Sequence, residues 1–169
     1  MKVIELTKGQ VTVVDDEDFD LIDGQSYFAH SAGDGYGFYA ARNRYDEKGV
    51  QRTSKLHREI MERVLGRNLT SDEEVDHEDL DKLNNRRRNL RLADRFKNNQ
   101  NKGIRSSNTS GYVGVWWNKR DKRWYAQILS NGERKHIGCF KNPDDAARAY
   151  DTKAKELNGE FAYLNFPNE

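Results

Sequence analysis

Four polar residues between Val75 and Asn98 have the types and spacing to do chemistry. Asp76 and His77 are adjacent, Asn89 follows twelve residues after His77, and Asn98 nine after that. An arginine run, Arg86, Arg87 and Arg88, lies between. A carboxylate and an amide oxygen can hold a hard divalent cation. A neutral imidazole can take a proton from water near pH 7, and guanidinium groups can grip phosphates. Together these groups suit cleavage of a phosphodiester bond.

Such groups must be positioned by regular elements. Glu74 to His77 reads as the end of a short strand. Residues 78–88 are polar and rich in Asp, Asn and Arg, which predicts a loop. Leu90-Arg91-Leu92-Ala93 alternates apolar and polar residues, as a half-buried strand does. Asp94 is suited to cap a short helix through Asn101, from which Asn98 projects. Upstream, Leu56 to Leu65 reads as a helix with Leu56, Ile60, Val64 and Leu65 on one stripe.

This strand, loop, strand and helix resembles the HNH nuclease family, the ββα-metal endonucleases, from His57 to Lys102. The Asp-His pair, the Asn-Leu-Arg after the loop and the helix Asn carry the resemblance. It implies that His77 is the general base, that Asp76 and Asn98 hold one divalent cation, and that Asn89 braces the His77 loop. His57 is expected to pack nearby rather than bind metal. Many relatives carry His where Asn98 stands. An amide is a weaker ligand than imidazole for transition metals, so magnesium or manganese is expected. Some relatives carry a structural zinc. Here Cys139 is the only cysteine, so neither a disulfide within the chain nor a cysteine-based zinc site is expected.

Composition points to small modules. Hydrophobic residues make up 35% and charged residues 34% of 169 residues, too little apolar material for one large core. The net charge of +1 hides a polarised distribution. Met1 to Gln25 carries seven acidic and two basic residues, whereas Lys82 to Arg105 carries nine basic and one acidic. That stripe is an electrostatic footprint for nucleic acid. No segment has the length and apolarity of a membrane span, and the N-terminus lacks a signal peptide's apolar run, so a cytoplasmic protein is expected.

The N-terminal stretch reads as strands Lys2 to Leu6 and Val11 to Val14, an acidic helical turn from Asp15 to Ile22, and strands Ser26 to His30, Tyr36 to Arg42 and Gln51 to Leu56. Tyr36, Phe38 and Tyr39 are read mainly as core. Arg42 and Arg44 are expected to touch DNA phosphates.

The last third is a separate module. Strands are predicted at Val113 to Asn118, Arg123 to Leu129 and Arg134 to Phe140, with an Asn131-Gly132 hairpin between the last two. A helix follows, capped by Asn142 with Pro143 at its first position, and Gly159 ends it. Alternation turns Val115, Trp117, Trp124, Ala126, Ile128, Ile137 and Cys139 toward that helix. It turns Trp116, Asn118, Arg123, Tyr125, Gln127, Arg134 and His136 outward. Exposed aromatics call for a partner, and a three-stranded sheet can enter a major groove.

From Gly111 to Pro167 this third resembles the AP2/ERF DNA-binding domain. The shared pieces are Ser-Gly-Tyr-Val-Gly-Val, the Trp124 strand, His-Ile-Gly-Cys-Phe, Asp-Ala-Ala-Arg-Ala-Tyr-Asp and Leu-Asn-Phe-Pro. The resemblance implies duplex binding through the outer sheet face. Val113 stands where plant members usually have a DNA-contacting Arg, and Trp116 replaces another. The target sequence therefore does not carry over, and Trp116 and His136 are expected to make shape or apolar contacts.

The chain is thus expected to be α+β. It should comprise a β-rich module (1–55), a nuclease motif (56–102), a linker (103–110) and a sheet packed on one helix (111–167). The leading function is a metal-dependent, homing-type endonuclease of the kind found in phages or mobile introns, acting as a monomer on double-stranded DNA. The alternative is a DNA-binding regulator with a vestigial nuclease motif.

Overall fold

The computed structural model describes residues 1–33, 37–94, 104, 108–130 and 132–168. Its architecture is α+β. The chain divides into two compact units, Met1–Arg95 and Phe96–Glu169. No helix among the described residues is long and apolar enough to cross a membrane.

In the first unit, β1 (Lys2–Glu5) and β2 (Val11–Val14) form an antiparallel hairpin. A meander follows: β3 (Phe28–Ser31), β4 (Phe38–Tyr45) and β5 (Gln51–Lys55). Helix α1 (Leu56–Leu65) ends where Gly66 adopts φ 66, letting the chain close the last turn. β6 (Glu73–His77) then pairs antiparallel with β7 (Leu90–Asp94).

One core joins these pieces. Leu6, Val14, Ile22, Tyr27, Ala29 and Ala40 pack with Leu56, Ile60, Met61, Val75 and Leu90, so the elements on both sides of position 55 share it. The helix buries Leu56 and Ile60 of the expected stripe but not its C-terminal half. Val64 and Leu65 are exposed, whereas His57, Glu59 and Met61 are buried. Glu59 is tolerated inside because partners meet it: the Tyr27 hydroxyl donates to it at 2.5 Å and Arg42 Nε at 3.1 Å.

The long loop after β6 is fastened to β2. Val13 N donates to Leu83 O at 3.0 Å, and Asn85 N donates to Val13 O at 2.8 Å. The acidic turn near the N-terminus fastens it further along. Asp18, fully buried, accepts from Arg87 Nε at 2.8 Å and Nη2 at 2.7 Å. Asp15 accepts from the Arg87 backbone N–H at 2.9 Å, and Glu17 from Arg87 Nη1 at 2.6 Å.

In the second unit, β8 (Val115–Asn118), β9 (Arg123–Ser130) and β10 (Glu133–Phe140) form an antiparallel sheet in the order β10-β9-β8. Helix α2 (Pro143–Asn158) lies against one face. Its cap is as expected: Asn142 accepts from Asp144 N at 2.9 Å, with Pro143 opening the helix. Ala146, Ala147 and Ala154 are buried against the sheet residues Val115, Ala126 and Ile128. Gly114 has φ +74, and a Cβ there would sit 2.2 Å from the Tyr150 ring and 2.7 Å from Gln127 O, so only glycine fits. Asn131 of the expected Asn-Gly hairpin lies outside the described residues.

The shared motifs have a structural explanation. Asp151, buried on α2, accepts from the backbone N–H of Asn165 and Phe166 and from Asn165 Nδ2. Asn165 Oδ1 in turn accepts from Val113 N at 2.7 Å. The closing Leu-Asn-Phe-Pro segment thereby ties the helix to the start of the sheet.

One expected facing is overturned. Between His136 and Gly138 the register of β10 shifts, leaving Ile137 as a bulge. An extra residue inverts the alternation beyond it. Cys139 therefore pairs with Tyr125 and is exposed, while Phe140 turns into the core. Trp117 shares a ring contact of 5.1 Å with Trp124 yet stays 41% exposed.

Candidate active site

β6 ends at His77 because the chain turns there. Leu80 takes φ 67, and its N–H donates to His77 O at 3.0 Å. The preceding residue, Asp76, is buried opposite Arg91 on β7. Arg91 Nε and Nη2 donate to Asp76 Oδ2 at 2.9 Å and 2.8 Å. This ion pair holds the carboxylate in place beside the strand end.

The His77 ring is buried, and Nε2 lies 3.3 Å from Asn85 Oδ1. A chain of hydrogen bonds settles which nitrogen carries the proton. The Thr12 hydroxyl is 2.7 Å from Leu83 O, a group that only accepts, so the hydroxyl must donate there. Thr12 Oγ1 then accepts from Asn85 Nδ2 at 2.7 Å. That orients the amide with Oδ1 toward His77. Nε2 must therefore be the protonated nitrogen, leaving the lone pair on Nδ1. Burial lowers the His77 pKa below the usual 6.5, so the ring is neutral at pH 7. Nitrogen-15 spectra of this imidazole are expected to show the Nε2–H tautomer. In Thr12→Val, where nothing holds the amide, a mixture of tautomers is expected. An unaltered ring spectrum in that variant would remove the relay.

Asn89 spans the base of the same loop. Its Nδ2 donates to Asp79 Oδ1 at 2.9 Å and to Asn84 O at 2.8 Å, and its Oδ1 accepts from Asp79 N at 3.1 Å. Arg86 Nε donates to Asn84 Oδ1 at 2.7 Å. Asn98, with residues 95–101 of the expected helix, lies outside the described residues, and Asp94 ends β7. Among the described residues, no group of three His, Cys, Asp or Glu could hold a metal ion.

The structure adds neighbours that spacing did not indicate. His57 meets His77 edge to face, with ring centroids 5.0 Å apart. Its Nδ1 is buried without a hydrogen-bond partner, and burial keeps the ring neutral. Tyr39 packs 5.1 Å from His57 and 6.3 Å from His77. Lys55 and Lys82 both approach the Tyr39 ring. Thr12 and Asn85 are the further additions. In sequence, Asn84-Asn85 reads as turn chemistry and Thr12 as an ordinary strand residue, so no local signal marks either.

The expected phosphate contacts fall into two groups. Arg44 and Arg88 are exposed. Arg42 is instead held by Glu59 and by Gln25 Oε1 at 2.8 Å, and Arg87 by Asp18. On the outer face of the second unit, Trp116, Tyr125 and His136 form a cross-strand row with centroids 5.0 Å and 5.3 Å apart. Arg134 is exposed beside them, and Arg123 and Gln127 are partly exposed. Asn118 is occupied in its own turn. It accepts from the N–H of Arg120 and Asp121 and donates to Asp121 Oδ2.

Comparison with known proteins agrees with both halves of this picture. A family model described as HNH endonuclease matches residues 54–100. An uncharacterized HNH endonuclease of Acanthamoeba polyphaga mimivirus is 34% identical over 130 residues, covering 77% of this chain and 67% of that protein. Protein 3.8 of Escherichia phage T7 is 34% identical over 88 residues, 52% of this chain and 72% of that protein. An ethylene-responsive transcription factor of Arabidopsis thaliana is 41% identical over 59 residues, 34% of this chain and 32% of that protein. The mimivirus relative, two thirds of whose length this chain covers, and the family model lying across the strands that present His77 establish that the chain belongs to the HNH endonuclease family and is a nuclease.

Proposed function

We propose that this nuclease is a metal-dependent, homing-type endonuclease that hydrolyses phosphodiester bonds in double-stranded DNA with His77 as general base. The observation that carries the reading is the setting of the His77 ring, buried at the end of β6 with Nε2 3.3 Å from Asn85 Oδ1, which favours a neutral ring with its lone pair on Nδ1. Nδ1 takes a proton from the water that attacks phosphorus, and the bond from phosphorus to the 3′ oxygen breaks. Asn89 keeps the loop that carries Asn85 at a fixed distance from the strand end. Arg91 holds the Asp76 carboxylate in place through an ion pair of 2.8 Å.

The donor set fits a hard cation. Asp76 offers a carboxylate and Asn98 an amide oxygen. Magnesium and manganese accept such oxygen ligands and complete their shells with water and phosphate oxygens. When bound, the cation polarises the phosphate and stabilises the departing oxygen.

Arg44, Arg86 and Arg88 on the first unit supply phosphate contacts. The outer sheet face of the second unit enters a major groove. Its aromatic row is supported by likeness to transcription-factor DNA-binding segments. A B-form duplex suits that mode, because the A-form major groove is too narrow. The protein acts as a monomer with one cutting centre.

Supercoiled plasmid is expected to be cut with magnesium or manganese present and to stay intact after chelation. Calorimetry on the DNA-bound protein should register uptake of the cation. Cutting at full rate in excess chelator would overturn the metal dependence.

A further inference from the structure

Two ammonium groups meet at one aromatic ring beside His77. Lys55, the last residue of β5, places Nζ 4.2 Å from the centroid of Tyr39, and Lys82, on the loop after β6, places its Nζ at 5.1 Å. An aromatic face attracts cations, and here it gathers two that repel each other. The like-charge crowding is visible at Lys55. Burial lowers its pKa most, the charges of Arg58 and Lys82 lower it further, and only Glu74 opposes them. The charge of Lys82 also reaches His77. Cations drawn together near a reacting centre favour an anion in their midst.

We propose that Lys55 and Lys82, held against Tyr39 beside His77, form the cradle for the phosphodiester group that is cut. This rests on the reading of His77 as the base. The non-bridging oxygens of that group gain negative charge as water adds to phosphorus. Ammonium groups already in place stabilise the added charge without having to reorganise. The ring restricts where each flexible lysine can hold its charge, and so fixes the phosphate against the His77 side.

The test uses the full chain and measures single-turnover plasmid cleavage and DNA affinity separately. Lys55→Met and Lys82→Met keep the aliphatic stem on the ring and remove the charge. Each is expected to slow cleavage about 100-fold while weakening DNA binding by no more than about threefold. Lys55→Arg and Lys82→Arg should recover most of the rate, which a folding defect would not allow. Lys2→Met, whose ammonium lies over the remote Phe19 ring, should cut normally. If His77→Ala is inactive while both methionine variants cut at the wild-type rate, the cradle alone is overturned. If affinity and rate fall in step, the lysines are general backbone contacts and the cradle is again overturned. If His77→Ala itself cuts normally, the underlying assignment of the base fails first.

Discussion

His77→Ala is expected to lower the cleavage rate by about 1,000-fold, within the range that a positioned general base contributes. DNA affinity should change little, because it arises from phosphate contacts elsewhere. His77→Gln should be equally slow, since an amide can hold a hydrogen bond but cannot take a proton. The pH profile adds an independent readout. Burial depresses the ring's pKa below 6.5, and only the neutral form accepts a proton from water. Wild-type cleavage should therefore rise with pH through a midpoint below 6.5 and be level by neutrality. The alanine variant should lack that limb. A variant that still cleaves within about tenfold of wild type would move the base to another group.

Arg87→Ala is expected to destabilise the first unit by about 3 kcal/mol, the cost of stripping a buried carboxylate of its ion partner. Asp18 is fully buried and takes two hydrogen bonds from Arg87, and its other cation, Arg63 Nη1, stands 3.9 Å away. Urea unfolding should show a lower midpoint at unchanged slope. Pairing Asp18→Leu with Arg87→Met should restore much of the loss, because the buried charge is then gone from both sides. The exposed neighbour should behave in the opposite way. Arg88→Ala should leave stability within about 0.5 kcal/mol and reduce the salt dependence of DNA binding by about one unit of slope. Unchanged stability in Arg87→Ala would return that guanidinium to the DNA-contacting set.

Much of the local architecture was legible in the residues. The limits of α1, the Asn142-Pro143 start of α2 and the pairing of β6 with β7 follow from caps, breakers and alternation acting over a few residues. The adjacency of Asp76 and His77 at a strand end is likewise a local property. Alternation failed where one extra residue entered β10, because a bulge is decided by how the strand meets its partner. The apolar stripe of α1 held at Leu56 and Ile60 but not at Val64 and Leu65, for a related reason. His57 and Glu59 are buried because Tyr39, Tyr27 and Arg42 meet them from other strands.

By itself, the sequence determined most of the described elements, their order, and the presence of an imidazole beside a carboxylate ahead of a basic loop. Only the tertiary structure decided which proton the imidazole holds and which arginine is tied to a buried carboxylate. Those outcomes depend on Thr12 meeting Asn85 across 73 residues and Asp18 meeting Arg87 across 69. Periodicity and propensity act over a few residues of chain. A buried polar group takes whichever partner the packed core brings to it, and that choice is made across the whole unit.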